Sequence, residues 1–201
     1  GIYNQGVLTV TDSKVNGNIV PSQGGGIYSL LATLILNGSS VDNNTSTFDG
    51  GGIRVVGGNL TLNTSTVSNN AGRNGAGMKL DNSATAVLND STVSGNSSPD
   101  GTGAGISNDS YLTLNRTTIS GNTTPQSGGG IFTNFGMITS TNSTFSGNSA
   151  GGSGGGIYNA NATLTLINST FSGNSASTNA GGIQAGSGGT VFMYNTIIAN
   201  S

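Results

Sequence analysis

The chain has no cysteine, no histidine and no tryptophan, and only 6% of its 201 residues are charged. No disulfide can brace it, and the metal and nucleophile sets built on Cys or His are out of reach. Its seven acids are all Asp, scattered at Asp12, Asp42, Asp49, Asp81, Asp90, Asp100 and Asp109. At a net charge of −2, neither nucleic acid nor an anionic membrane is an expected partner. No run of about 18 apolar residues occurs, so no segment is expected to span a bilayer. Sustained 3.6-residue periodicity is missing too, and glycine and β-branched residues argue against helix.

Gly, Asn, Ser and Thr fill the chain instead. Low-complexity disorder is the competing reading of such a composition, but a disordered segment has no reason to keep apolar residues at fixed positions. Here one phrase recurs, clearest at Gly154-Gly155-Gly156-Ile157-Tyr158-Asn159, Leu164-Thr165-Leu166 and Ser169-Thr170-Phe171-Ser172-Gly173-Asn174. Its valine or phenylalanine position falls at Val15, Val41, Val67, Val93, Ile119, Phe145, Phe171 and Ile197, a constant 26-residue step. The closing asparagine keeps the same step at Asn18, Asn44, Asn70, Asn96, Asn122, Asn148, Asn174 and Asn200. A fixed period of this size marks a stacked repeat architecture.

Each repeat reads as one coil. Coils are anchored near Ile2, Ile27, Ile53, Met78, Ile106, Ile131, Ile157 and Ile183, all but the first directly after a glycine corner. Met78 and Ile106 slip out of step, and both slips are cancelled by Val93 and Ile119, as a turn of fixed circumference requires. Alternation of period two predicts short strands with one face inward. The inward columns are then Leu8, Leu34, Leu60, Ala86, Leu112, Ile138, Leu164 and Val10, Leu36, Leu62, Leu88, Leu114, Ser140, Leu166, Phe192. Tight bends are expected at Gly17, Asn43, Asn69, Gly95, Gly121, Gly147 and Gly173, the types that best accept a left-handed backbone. The Asn column after them is expected to face inward and bond from coil to coil.

The predicted fold is all-β, a right-handed parallel β-helix of about eight 26-residue coils with three short strands each. Residues 1–201 form a single domain, a rod roughly 38 Å long at about 4.8 Å per coil. Because the chain opens within a repeat and stops before the next corner, it is expected to be an excised or mature piece, or a subunit whose ends neighbours cover.

The Gly-Gly-Gly-Ile corners and the motifs Phe145-Ser146-Gly147-Asn148 and Phe171-Ser172-Gly173-Asn174 resemble the paired GGA(I/L/V) and FxxN repeats of the polymorphic outer-membrane protein family. More broadly the chain is similar to β-helix repeat proteins of the pectate-lyase-like superfamily. The first resemblance implies a right-handed β-helical passenger of a bacterial adhesin. The second implies a scaffold on which enzymes work through clustered acids, often with Ca²⁺. In six coils the phenylalanine is Val or Ile, and the corner is usually GGG.

Five sets of residues are candidates for function. Asp81 and Asp109 occupy equivalent places in neighbouring coils, so they are the pair to share a cation or proton, or else a solvated pair on a loop. Asp90 and Arg116, one full repeat apart, are expected to form a surface ion pair. Thr66/Ser68, Thr92/Ser94, Thr118/Ser120, Thr144/Ser146 and Thr170/Ser172 point outward as a two-column hydroxyl array, similar to the Thr faces of ice-binding solenoids; solvent-facing β positions also favour these types. Tyr3, Tyr28, Phe132 and Tyr158 follow the corner and form aromatic strips, for sugars, for a partner subunit or for self-packing. Asn-x-Ser/Thr sequons at Asn37, Asn63, Asn89, Asn115 and Asn168 are expected from composition. The glycine corners lack the Lys-Ser/Thr and the helix of a phosphate loop.

The functional expectation is a non-catalytic structural or adhesive solenoid of a bacterial surface or secreted protein, extracellular, without cofactor. Its partners would be further copies joined end to end, and carbohydrate or a host surface. Polysaccharide binding or cleavage and ice binding are the alternatives.

Overall fold

The computed structural model describes residues 1–201, a stack of parallel strands without a single helix. A typical coil carries a three-residue strand after the glycine corner (four residues at Met78–Asp81), a five-residue strand, and a second three-residue strand, as in Ile157–Asn159, Thr163–Ile167 and Thr170–Ser172. In the second and third coils the first two strands fuse into single eleven-residue strands, Ile27–Asn37 and Ile53–Asn63. Their fusion joins the first two columns into one 14-stranded sheet beside the eight-stranded sheet of third strands. A fourth, two-residue rung follows the asparagine column, at Thr123–Thr124, Ser149–Ala150 and Ser175–Ala176, beyond the three strands expected.

Pairing is parallel throughout and sets like residue over like: Leu60 over Leu34, Ala86 over Leu60, Leu112 over Ala86. Ile27, Ile53, Met78, Ile106, Ile131 and Ile157 make one fully buried column, and Val41, Val67, Val93, Ile119, Phe145 and Phe171 another. Phe145 and Phe171 stack with ring centres 4.4 Å apart and planes within 5°. Inside so narrow a coil the corner has no room for side chains. A Cβ on Gly52 would lie 2.7 Å from the Gly77 carbonyl oxygen, one coil on. The bend column is left-handed as expected, from Gly17 (φ 66°) and Asn43 (φ 56°) to Gly173 (φ 63°).

The slips are taken up in loops. Ile106 pairs with Met78 at a separation longer than the repeat, yet Tyr111 pairs with Thr85 at the repeat itself, so the next strand is already back in phase.

The last coil does not recover. Thr190 pairs with Thr163, a separation one longer than the repeat, because one extra residue lies in the loop after Ala185. A shift of one residue exchanges the faces of a strand. Phe192, expected inside, therefore sits beside Thr165 and is exposed; Met193 continues the Leu166 column. Likewise Ile198, not Ile197, pairs with Phe171. Asn200 does not close the asparagine column: it takes the left-handed bend (φ 49°), and Ser201 faces Asn174 instead.

Candidate functional site

The asparagine column is a continuous hydrogen-bonded ladder. Asn44 donates its backbone N–H and its side-chain Nδ2 to Asn70 Oδ1 at 2.9 and 3.1 Å, and Nδ2 also reaches the Val15 carbonyl at 2.9 Å. The same set repeats through Asn70, Asn96, Asn122 and Asn148, ending on Asn174 Oδ1. Sequence reading missed a second ladder on the other side of the third strand. Ser39 N–H donates to Ser65 Oγ, Ser65 N–H to Ser91 Oγ and Thr117 N–H to Ser143 Oγ, each at 3.1 Å. Its signal is present, since Ser39, Ser65, Ser91, Thr117 and Ser143 keep the 26-residue step just before the valine unit.

This second ladder accounts for four of the five sequons named above. The hydroxyls of Ser39, Ser65, Ser91 and Thr117 donate back to the carbonyls of Asn37, Asn63, Asn89 and Asn115. The four asparagine side chains meanwhile bond to one another along the outer surface, each at 2.9 Å. At these positions Asn-x-Ser/Thr is a backbone motif of the bend.

The hydroxyl array lies between the two ladders. Thr66, Thr92, Thr118, Thr144 and Thr170 pair in register, as do Ser68, Ser94, Ser120, Ser146 and Ser172. It is bounded by Ser40 and Asp42 on one side and by Ile197 and Ala199 on the other. None of the ten hydroxyls makes a hydrogen bond within the chain, whereas the inward serines of the neighbouring ladder do.

The outward residue of the first strand makes a mixed column: Tyr3, Tyr28, Arg54, Lys79, Ser107, Phe132, Tyr158, Gln184. Sequence reading found the aromatics but not Arg54 and Lys79, although both directly follow the corner residue as Tyr28 does. Tyr3 and Tyr28 tilt at 50° with centres 5.4 Å apart, while Phe132 and Tyr158 stack within 2° at 5.4 Å. Rings stacked along the column spend a face on each other, so this pair is in part its own partner.

Between the aromatic ends runs a chain of charges. Arg54 Nη1 bonds Asp49 Oδ2 at 2.6 Å, and its Nη2 lies 2.7 Å from Asp81 Oδ2 as an ion pair without hydrogen-bond alignment. Lys79 Nζ is 3.1 Å from Asp81 Oδ1, contacts Asp109 Oδ2 closely and donates to Ser107 Oγ at 3.2 Å. Asp81 and Asp109 are thus brought together, and the cation between them is the ammonium of Lys79. With side-chain exposures of 17% and 31%, they are not the freely solvated loop pair that sequence allowed.

Burial alone would push the Asp49 carboxyl up; hydrogen bonds from Asn74 and Arg54, with the charges of Arg54 and Lys79, together hold it below its ordinary value. Asp90 and Arg116 form an exposed two-pronged pair at 2.7 and 2.8 Å. The Arg116 hydrogen bond lowers the Asp90 carboxyl, and Asp90 raises the Arg116 guanidinium. No cluster of three or more acids, His or Cys has metal-binding spacing.

A family model described as a right handed beta helix region matches residues 1–171. That agrees with the hand expected of parallel crossovers. Neither a curated protein nor a solved structure matches the chain.

Proposed function

The chain belongs to the right-handed β-helix family, and from that premise we propose that it is a non-catalytic structural and adhesive solenoid of a bacterial surface or secreted protein. One observation carries this reading. The buried asparagine ladder is continuous from Asn18 to Asn174, so that seven coils are tied along the axis by side chains as well as strands. Such ladders stabilise stacked parallel strands and keep them flat, which suits a stiff rod.

The charges support the same reading. Arg54 and Lys79 are both engaged by carboxylates, and Asp49 titrates lower than usual, whereas a general acid needs a raised carboxyl. Met193 and Ile198 continue core columns and are half exposed, an apolar edge on which end-to-end contact with another copy would act. Negative-stain microscopy of the purified protein tests the proposal: stiff rods or end-to-end filaments are expected, and short monodisperse particles count against assembly. Cleavage of any member of a polysaccharide panel, lost in Asp81→Asn or Asp109→Asn, would replace the structural reading with an enzymatic one.

A second reading rests on the ten unpartnered hydroxyls. A flat, uncharged lattice of Thr and Ser suits an ordered surface such as ice. Thermal hysteresis abolished by Thr118→Tyr would support it; a freezing gap absent from the parent protein would end it.

A further inference from the structure

A polar notch of about 190 Å³ opens where the second strand turns into the third, across the first three coils. Asp12, Lys14, Gly38, Ser40, Thr64 and Thr66 line it together with the neighbouring serines, and no hydrophobic residue does. Asp12, Gly38, Thr64, Asp90 and Arg116 hold the same left-handed bend in successive coils, at φ 47°, 55°, 48°, 49° and 50°. Farther along this bend, Asp90 meets Arg116 from the next coil and is neutralised by it.

Asp12 meets Gly38 instead. Its carboxylate leans over the glycine so closely that a Cβ there would lie 2.5 Å from Asp12 Oδ1. No cationic side chain reaches Asp12 as Arg116 reaches Asp90. Lys14 borders the same notch and takes part in no ion pair, and neither does Asp12. The hydroxyl oxygen of Ser40, one of the lining residues, is buried without a hydrogen-bond partner. Unpaired charges of both signs thus face one small polar space.

The geometry points to a binding site for a small zwitterion of amino-acid size, its ammonium over Gly38 against Asp12 and its carboxylate toward Lys14. The volume would otherwise hold roughly six waters at about 30 Å³ each, which limits the ligand to a few heavy atoms. A lining without hydrophobic residues favours a short or hydroxylated side chain that the Thr64 and Thr66 hydroxyls can meet. Exposed ion pairs are individually weak, so affinity in the millimolar range is expected, falling with added salt.

L-serine titrated into ¹⁵N-labelled protein tests the site. Amide shifts confined to residues 12–14, 38–40 and 64–66 are expected, with Asp12→Asn and Lys14→Gln each weakening binding up to about fivefold. Gly38→Arg should place a guanidinium on Asp12, as Arg116 does on Asp90, and abolish the shifts while leaving the other amides unchanged. If Gly38→Arg does not fold, the two charge variants carry the test. No saturable shift, or equal shifts with ethanolamine alone or lactate alone, overturns the proposal. So does undiminished binding in Gly38→Arg.

Discussion

Asn148 Oδ1 accepts two hydrogen bonds from Asn122 one coil away, from the backbone N–H at 3.1 Å and from Nδ2 at 2.9 Å. Asn122 in turn accepts both bonds of Asn96 and donates to the Val93 carbonyl. Both side chains are fully buried, so the ladder is satisfied only as a series.

Replacing Asn122 by Ala should therefore leave the Asn96 N–H without a partner and take from the Val93 carbonyl the side-chain donor it accepts from. Each buried orphan costs about 1–3 kcal/mol, and a loss of about 3 kcal/mol is expected in urea unfolding. Asn122→Asp should do no better at neutral pH, because a carboxylate can still accept from Asn96 but cannot donate to Val93 or Asn148.

Phe145 is fully buried and stacked on Phe171. Phe145→Ala should cost about 3–5 kcal/mol, whereas Phe145→Leu should lose much less. The repeat supports this ordering, because Val or Ile fills the same column in coils nearer the start. Thermal unfolding of the two variants checks it.

Lys79 separates Asp81 from Asp109. Lys79→Met leaves the two carboxylates facing each other, with Arg54 paired to one of them. The expected loss is about 2–3 kcal/mol, below the roughly 3–5 kcal/mol of a fully buried pair because Asp109 is partly exposed. Adding Asp109→Asn to Lys79→Met should recover much of it, which a double-mutant cycle measures.

Asp49 has a folded-state pKa below its unfolded value of 3.8. For a carboxyl shifted this way, the stabilisation is complete above the unfolded value and is lost as pH falls through the folded one. Unfolding free energy should thus decline below about pH 4. Asp49→Asn should be less stable at neutral pH and flatter through that acid range, as read from urea midpoints at stepped pH.

The coil and its core are legible because each residue of a strand repeats its face every 26 positions. The rest escapes for three reasons. Leu34 over Leu60 follows from period alone, but the partners of Lys79 depend on where the loop before Ile106 sets that strand and the Asp109 carboxylate that follows it. In the sequence Ser65 and Ser91 look like ordinary polar residues at the edge of a strand, although burial turns a hydroxyl from a solvent group into a structural donor. Phe192, Ile197 and Asn200 are misplaced by the period itself: counting by 26 cannot detect one extra residue in a loop when both readings put an apolar side chain near the core.

Loop compensation has a consequence for how such a rod can change. Between Asn96 and Tyr111 two residues are gained at one bend and dropped at the next, so length is exchanged within a coil while its third strand stays in phase. Paired insertions and deletions there should pass unnoticed by the ladders. A lone insertion in a loop should be held there as well, as the extra residue before Thr190 is: beyond it Val191, Met193 and Ile198 still continue the core columns of Leu164, Leu166 and Phe171.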